Sequence, residues 1–333
     1  MGNKNRQKSA AEWIGTYQLS IFSIILILLP FILPYKALAT NIIIFALLVM
    51  AFNILLGFVG LLSFCHAALF GAGAYAMGIL LVNLKVHLLA GLLVSSAVGG
   101  SVALLIGILV IQRVGIYFGL LTLAFNQIAY FVIYGMRDIT GGDSGLRGLF
   151  RPDLNLGFFT VPLSTELIFY YFVLFWFLGS AFLIKRMADS SFGKVLHGIK
   201  ENEMRAEAIG CHVKKFKLMA FVLSGTLAAL AGALYAIYVK FVSVDIVGFV
   251  MSGEIVMMAL LGGVSSFYGP LVGSAVFILI SDILSGYWER WMLLLGTVFI
   301  IFVMFFREGI CGGLGDFYEK YLGKSGAIKR DFE

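Results

Sequence analysis

Two short strings in this sequence could carry enzymatic chemistry, but both lack the partners that such chemistry needs. Residues 142–145 read GDSG, which matches the surroundings of a nucleophilic serine. That nucleophile requires a histidine base and a carboxylate within reach, and a glycine-rich turn explains the string better. Residues 323–325 read GKS, the end of a phosphate-binding loop, but Tyr318 occupies the position of the loop's first glycine. The sequence therefore predicts no ATP site of this kind.

Metal chemistry has equally little support in the residue pattern. The three cysteines, Cys65, Cys211 and Cys311, are far apart and odd in number, so neither a disulfide framework nor a metal-ligand spacing follows. The HExxH string of zinc proteases does not occur. We therefore predict no catalytic residue, no metal site and no cofactor bound by this chain.

Polar residues inside long apolar runs are the better candidates for function. A charge at the centre of a membrane costs about 2.5–3.5 kcal/mol on insertion scales, so such residues usually face a protein interior or a cavity. Hydroxyls, amides and a carboxylate there could bind a zwitterionic substrate. Ordinary hydrogen bonding between helices, worth about 0.6 kcal/mol, is the alternative. The candidates for a substrate pathway are Asn53, Ser63, His66, Thr122, Asn126, Gln127 and Glu254.

The composition requires a membrane around these residues. The chain has 333 residues, of which 61% are hydrophobic and only 13% are charged, against about 25% charged in soluble domains. The net charge of +6 comes from basic residues placed between apolar runs. That arrangement is typical of membrane topology rather than of a nucleic-acid-binding face. We expect membrane lipid, and no nucleic acid, among the partners.

Ten apolar runs are long enough to be candidate spans, since a span needs about 20 mostly apolar residues. The predicted fold is therefore an all-α polytopic membrane protein. Only residues 57–60 separate the second and third runs, so one of them is expected to be broken or re-entrant. The ten runs are 19–35, 38–56, 61–82, 88–111, 115–134, 166–184, 218–240, 247–264, 267–286 and 291–306.

Two polar connections set the expected orientation. Loop 135–165 has three basic and three acidic residues, whereas loop 185–217 has eight basic and four acidic ones. Basic loops stay in the cytoplasm, so 185–217 is predicted to be cytoplasmic and 135–165 external. Alternation then gives a cytoplasmic N-terminal segment (1–18), a transmembrane domain (19–306) and a cytoplasmic tail (307–333).

Loop 185–217 also carries an amphipathic pattern. Phe192, Val195, Leu196 and Ile199 recur at helical spacing among charged residues, as do Ala206 and Ile209. Such a helix can lie on a membrane surface or dock into a groove of a soluble partner. Gly210 then offers a helix stop.

A faint internal repeat links the two halves of the chain. Residues 55–64 (LLGFVGLLSF) resemble residues 260–267 (LLGGVSSF) in the order of their leucines, glycine, serine and phenylalanine. Many transporters carry such repeats and bind substrate at the interrupted helices. Chance similarity between apolar segments explains the match equally well.

Four segments together resemble one family, the LivM-type permeases of branched-chain amino-acid ABC importers. The segments are 63–75 (SFCHAALFGAGAY), 117–146 (with LTLAFNQ and TGGDSGL), 190–236 (with FVLSGTLAALAGALY) and 261–273 (LGGVSSFYGPLVG). Their order and spacing cover nearly the whole of residues 40–306.

The resemblance implies a division of labour among several chains. Two ATP-binding subunits would use ATP and Mg, a second homologous permease subunit would complete the pathway, and an extracytoplasmic substrate-binding protein would deliver the amino-acid substrate. The complex would lie in a bacterial cytoplasmic (inner) membrane and work by alternating access. A self-contained ion-coupled secondary transporter and an intramembrane enzyme remain as alternatives.

The resemblance also assigns a coupling helix that fits the ATPase. It would run from Glu203 to Gly210, although Met204 stands where the wider coupling pattern has glutamate. The residues carried over are Glu203, Arg205, Ala206, Glu207, Ala208 and Gly210.

Overall fold

A computed structural model describes residues 23, 26–155, 160–264, 266–287, 290–305 and 309–312 of the chain. The predicted N-terminal segment 1–18 lies outside these residues, as does most of the tail 307–333. Helical structure at 26–32 is followed, within the described residues, by a four-residue helix at Arg137–Thr140 and by eleven longer α-helices, here numbered α1 to α11. Their bounds are α1 Lys36–Asn53, α2 His66–Val82, α3 Leu88–Val110, α4 Ile116–Gly135, α5 Glu166–Asp189, α6 Ser191–Glu201, α7 Glu203–Ala208, α8 Val213–Val239, α9 Phe249–Gly262, α10 Gly269–Tyr287 and α11 Trp291–Phe305.

Within the part of the chain that the structure describes, six helical segments are long and apolar enough to cross a membrane. They are α1 with its extension to Val59, α3, α4, α5, α8 and α10. Three further predicted spans, 61–82, 247–264 and 291–306, coincide with the shorter apolar helices α2, α9 and α11. Strand structure in the described residues is confined to a two-residue antiparallel pair, Leu154–Asn155 with Thr160–Val161, inside loop 135–165. The described residues are thus almost entirely helical.

Both halves of the chain contain an interrupted helix. Helix α1 continues as a π-helical turn, Ile54–Val59, and ends at Gly60, whose φ of 76° is left-handed. The chain is then non-helical until α2 begins at His66, five residues later than the sequence predicted. In the second half, Gly263 has a φ of 99° and ends α9. Glycine occupies both positions because it adopts positive φ without steric cost.

The core forms where α8 packs against α1, α2 and α3. Small residues let the backbones of α2 and α8 approach closely. A Cβ placed on Gly73 would lie 2.0 Å from the Ala229 carbonyl oxygen, and one on Gly232 would lie 1.9 Å from that of Phe70. Large apolar side chains on α3, α4 and α11 are exposed instead, among them Leu105, Phe131 and Ile300. These faces are suited to contact lipid or another subunit.

Loop 135–165 closes one end of the bundle. Leu146 pairs with Val242, and the Arg151 guanidinium donates hydrogen bonds to the carbonyl oxygens of Ile237 (3.3 Å) and Tyr238 (3.0 Å). These carbonyls belong to the last turn of α8, which otherwise lacks partners for them. Partial burial lowers the pKa of Arg151 from its ordinary value. Because α8 has 27 residues, about 40 Å of helix separates this end from loop 185–217.

Replacing Arg151 by alanine is expected to destabilise the protein by about 1.5–3 kcal/mol, the range for hydrogen bonds to charged groups. The guanidinium also lies 4.3 Å from the centre of the Phe169 ring, so the substitution removes a packing contact. Thermal unfolding in detergent measures the effect. Arg147→Ala in the same loop is the control, because Arg147 is exposed. Equal melting temperatures for the two variants would contradict this role of Arg151.

Candidate functional site

The first turns of helices α2 and α9 meet in the interior of the bundle. The non-helical segment 60–65 approaches this point from the end at which loop 185–217 lies. Segment 242–248, which includes the 3-10 turn Val244–Val247, approaches from the opposite end. Non-helical backbone at membrane depth needs partners inside the protein. Side chains from neighbouring helices supply those partners here.

Helix α4 provides two of them. The Asn126 side chain accepts a hydrogen bond from the Ala68 amide (2.9 Å) and donates one to the Val247 carbonyl (2.8 Å). One turn earlier, the Thr122 hydroxyl accepts from the Phe64 amide (3.0 Å) and donates to Gly119 (2.8 Å). Asn126 therefore joins the start of α2 to the start of α9.

Two serines complete this arrangement. Ser252, in the first turn of α9, donates to the Phe64 carbonyl (2.8 Å). Ser224 of α8 donates to the Ala51 carbonyl of α1 (2.6 Å). Since the Ser224 proton is used there, the 2.7 Å contact between its oxygen and Nε2 of His66 requires the imidazole to donate through Nε2–H. A network of side chains thus links α1, α2, α4, α8 and α9.

The structure brings four of the sequence-predicted pathway residues together. Ser63, His66, Thr122 and Asn126 are each at most 1% exposed, and we call them, with Ser224 and Ser252, the central polar cluster. In this conformation these side chains hydrogen-bond to backbone groups, to one another and, for Ser63, to the Cys65 thiol. The sequence analysis missed Ser224 and Ser252, because a single serine in an apolar helix is not distinguishable from a packing residue.

The other three predicted residues lie elsewhere. Gln127 of α4 is partly buried, and its Oε1 atom has no hydrogen-bond partner. Glu254 of α9 is also partly buried. Asn53, 7% exposed, lines a separate cavity of about 800 Å³ between α1, α5 and α6, whose remaining lining is Val264, Ser266, Phe267, Tyr268 and Pro270. The two glycine interruptions meet at this cavity, since a Cβ on Gly57 would lie 3.1 Å from the Val264 carbonyl oxygen.

Asn126→Ala is expected to destabilise the protein strongly. It would leave the Ala68 amide and the Val247 carbonyl buried without partners, at a cost of about 1–3 kcal/mol for each group. The drop in melting temperature in detergent measures this cost. Ser101→Ala is the control, because the Ser101 hydroxyl is exposed and donates to Ala97 within its own helix. An Asn126→Ala protein as stable as the control would show that the bridge between α2 and α9 is dispensable.

The meeting of two helix N-termini has a chemical consequence. The first turn of a helix carries partial positive charge, which favours an anion nearby. Interrupted membrane helices use such ends to bind the carboxylate of a substrate. The central polar cluster surrounds the starts of both α2 and α9. Its hydroxyl, amide and imidazole groups could therefore bind the polar end of an amino acid if the helices moved apart.

At the other end of α8, loop 185–217 forms two short helices. The Ser190 hydroxyl caps α6 by accepting from the Gly193 amide (3.4 Å), and the Asn202 side chain caps α7 by accepting from the Arg205 amide (2.9 Å). Such caps favour helix starts at these positions. The left-handed φ of Gly210, 89°, follows the end of α7.

Three contacts attach α6 and α7 to the transmembrane helices. Lys217 of α8 is 2% exposed, and its ammonium lies 2.7 Å from a carboxylate oxygen of Glu203. The Lys200 ammonium donates to the Gly57 carbonyl (2.8 Å) in the π-helical turn, and partial desolvation lowers the pKa of Lys200 from its ordinary value. The rings of Phe192 and Phe216 stack at 5.7 Å. A movement of α7 would therefore reach α8 directly, and a movement of α6 would reach both α1 and α8.

Not every coupling residue carried over from the resemblance is accessible. Ala206 is buried, Glu203 is partly buried, and Arg205, Glu207, Ala208 and Gly210 are exposed. The sequence pattern grouped Ile209 with Ala206 on one apolar face, but α7 ends at Ala208 and Ile209 points outward. The most exposed apolar side chains here are Met204 (81%) and Ile209 (77%). We call these two residues the apolar tip of the loop.

Comparison with known proteins gives a consistent result. Residues 35–304 match the family model described as "Branched-chain amino acid transport system / permease component". The chain is 24% identical to the high-affinity branched-chain amino acid transport system permease protein LivM of Escherichia coli, over 89% of this chain and 76% of the relative. The LivM protein of Salmonella typhimurium is 25% identical, over 82% and 68%. No solved structure matches the chain significantly.

Proposed function

This chain belongs to the family of permease components of branched-chain amino acid transport systems, and on that premise we propose that it forms the transmembrane pathway of an ATP-driven importer. The match over residues 35–304 carries this conclusion. Members of the family are transport subunits, and the apolar helices fit a multi-pass membrane protein. The substrates are branched-chain or related amino acids.

The assembly that we propose contains several other chains. Two ATP-binding subunits hydrolyse ATP with Mg, a second homologous permease subunit completes the pathway, and an extracytoplasmic binding protein delivers substrate. The exposed apolar faces of α3, α4 and α11 support contact with lipid and with the second permease. The protein lies in the bacterial cytoplasmic membrane with ten spans and with both ends in the cytoplasm. The excess of basic residues in loop 185–217 supports this orientation.

Helix α7 is our proposed coupling helix. Its exposed Arg205, Glu207 and Ala208, together with the apolar tip, provide the kind of surface that a groove on a soluble partner binds. The buried Lys217–Glu203 ion pair holds the base of α7 against α8, and the Lys200–Gly57 hydrogen bond holds α6 against the interruption in α1. Closure of the ATPases on ATP binding would displace α7 and, through these contacts, the two interrupted helices.

Alternating access then follows from the way the interruptions are held. Hydrogen bonds with the side chains of Thr122, Asn126 and Ser252 hold the starts of α2 and α9 in the present arrangement. Separating the two starts would release donors and acceptors of the central polar cluster for the substrate carboxylate and ammonium groups. Gln127 of α4 and Glu254 of α9, which lie outside the cluster, would extend the pathway.

Transport in reconstituted vesicles tests this function. The chain, the ATPases, the second permease and the binding protein are incorporated together, and uptake of labelled leucine is followed with and without ATP. Uptake is expected only with ATP and the binding protein. Uptake that persists without ATP but requires an ion gradient would instead identify a secondary transporter. Chemical turnover of a substrate by the purified chain alone would identify an enzyme.

A further inference from the structure

The cavity lined by Asn53 has two walls of different chemistry. Apolar side chains from the transmembrane part form one wall, including Met50, Phe58 and Ile184. The end of α5 and helix α6 form the other wall, which carries Lys185, Asp189, Lys194, His197, Lys200 and Glu201. The volume of about 800 Å³ is within the usual range of about 300–1,000 Å³ for small-molecule sites. Its lining therefore suits a ligand with one apolar part and one charged part.

An unsatisfied acceptor stands where the walls meet. Asn53 is 7% exposed, and its Oδ1 atom has no hydrogen-bond partner. A Cβ on Gly57 would lie 2.8 Å from this oxygen and 3.1 Å from the Val264 carbonyl oxygen, so the two acceptors lie within about 6 Å of each other near Gly57. A buried polar group without a partner is costly. An ammonium group, which has three donors, can satisfy both oxygens.

Cationic residues on the charged wall can bind a carboxylate. The Lys200 ammonium already donates to the Gly57 carbonyl, whereas Lys185 and Lys194 add two positive charges to the wall. Asp189 and Glu201 lie on the same wall, and Glu201 is 3.8 Å from the imidazole of His197. The mixture of both signs suits a zwitterion better than a simple anion or cation.

We propose that this cavity is a second site for the transported amino acid, reached from the cytoplasm, through which accumulated substrate slows further import. The ammonium group binds Asn53 and the Val264 carbonyl, the carboxylate binds Lys194 and Lys185, and the branched side chain packs on Met50 and Phe58. A ligand there contacts α1, α5, α6 and the connection 264–270 together, so it stabilises the present arrangement and opposes the movement of α6. The regulatory part rests on the proposed function and orientation.

Binding to the purified permease in nanodiscs tests the site without the rest of the assembly. Leucine at millimolar concentrations is expected to raise the melting temperature. Isoamylamine lacks the carboxylate, 4-methylpentanoate lacks the ammonium group, and glycine lacks the side chain. Each is expected to bind at least tenfold more weakly than leucine. No shift with leucine, or an equal shift with one of the three truncated probes, would overturn the proposal.

Two variants locate the binding in this cavity. Asn53→Ala is expected to weaken leucine binding at least fivefold by removing the acceptor. Lys194→Gln, at an exposed position, tests the same site if the first variant does not fold. It is expected to weaken the binding of both leucine and 4-methylpentanoate. Lys214→Gln is its matched control, because Lys214 is also exposed but does not line the cavity. Unchanged leucine binding in the Lys194→Gln variant would overturn the assignment.

Vesicles preloaded with leucine test the regulation. The initial rate of ATP-driven uptake is expected to fall at least threefold at internal leucine concentrations that saturate the site, and Lys194→Gln is expected to raise the half-inhibitory concentration about fivefold. Uptake that is indifferent to internal leucine would overturn the regulatory role. If vesicles without internal leucine show no ATP-driven uptake, the proposed function is refuted instead. Leucine binding in nanodiscs still tests whether the cavity is a site.

Discussion

Changing both residues of the apolar tip, Met204 and Ile209, to aspartate is expected to lower ATP-driven uptake at least tenfold. Their side chains are 81% and 77% exposed, so the substitutions leave the folded chain intact. Apolar anchors at the centre of an interface typically contribute about 2 kcal/mol or more each, and about 1.4 kcal/mol is a factor of ten in affinity. An aspartate buried against the ATPase would add a desolvation cost.

Co-purification of the ATPases with the permease, measured beside uptake, separates docking from later steps. The ATPases are expected to be lost from the doubly substituted permease in proportion to the loss of uptake. Ser144→Asp adds a charge at an exposed position in loop 135–165, at the other end of the bundle, and should retain the ATPases. Full retention by the doubly substituted permease would mean that another surface binds the ATPase.

Gly232→Ala is expected to prevent most of the protein from folding. The new Cβ would lie 1.9 Å from the Phe70 carbonyl oxygen, and because that atom is backbone, α2 and α8 would have to separate. Overpacking typically costs about 1–3 kcal/mol and occasionally more, and a clash with backbone that cannot be relieved by a side-chain rotation belongs to the costly end. The fraction of monodisperse protein after detergent extraction, followed by fluorescence-detected size exclusion, measures the loss.

Gly179→Ala provides the matched control for this effect. Gly179 lies within α5, and a Cβ there would meet no atom within 4 Å. Alanine favours helix by about 1 kcal/mol over glycine, so the yield of folded protein should be unchanged or slightly higher. A monodisperse Gly232→Ala protein in equal yield would show that α2 and α8 can accommodate a methyl group at their crossing.

The helix positions could be predicted from the sequence, whereas the contacts between the helices could not. Long apolar runs are a property of composition, and they predicted the positions of α3, α4, α5, α8 and α10 to within a few residues. The segments 71–78 and 225–232 are rich in glycine and alanine, which is typical of close helix packing. They could not predict that Gly73 faces Ala229 while Gly232 faces Phe70, because the rotation and crossing of two helices depend on all of their neighbours.

The interruptions were only partly predictable. Gly57–Gly60 indicated a break, and the structure has one, but α2 starts at His66 rather than at residue 61. The positions of such starts depend on side chains distant in sequence, such as Thr122 and Asn126, which satisfy the backbone of residues 64 and 68. Hydropathy averages over about 20 residues, so it cannot distinguish a full span from a non-helical segment followed by a shorter helix.

The residues of the candidate site were also only partly predictable from the sequence. Chemical type alone identified Ser63, His66, Thr122 and Asn126 as unusual in an apolar setting, and they do come together. The same criterion grouped Asn53 with them, although it lines the cavity on the side of loop 185–217. Sequence spacing places residues on one helix face. It does not indicate that the interruption after α1 lies next to the interruption after α9.

Sidedness of loop 185–217 is the most direct test of the account, since an ATP-driven motor can act on this chain only from the cytoplasm. Single cysteines replace Ile209 in this loop and Asp143 in the opposite loop, both at exposed positions, in a background where the three native cysteines are serine. A membrane-impermeant maleimide is applied to intact cells that make the permease without its ATPase partners, so that residue 209 is not covered, and to inside-out vesicles prepared from them. We predict that residue 143 is labelled only in cells and residue 209 only in vesicles. Labelling of residue 209 in intact cells would contradict it.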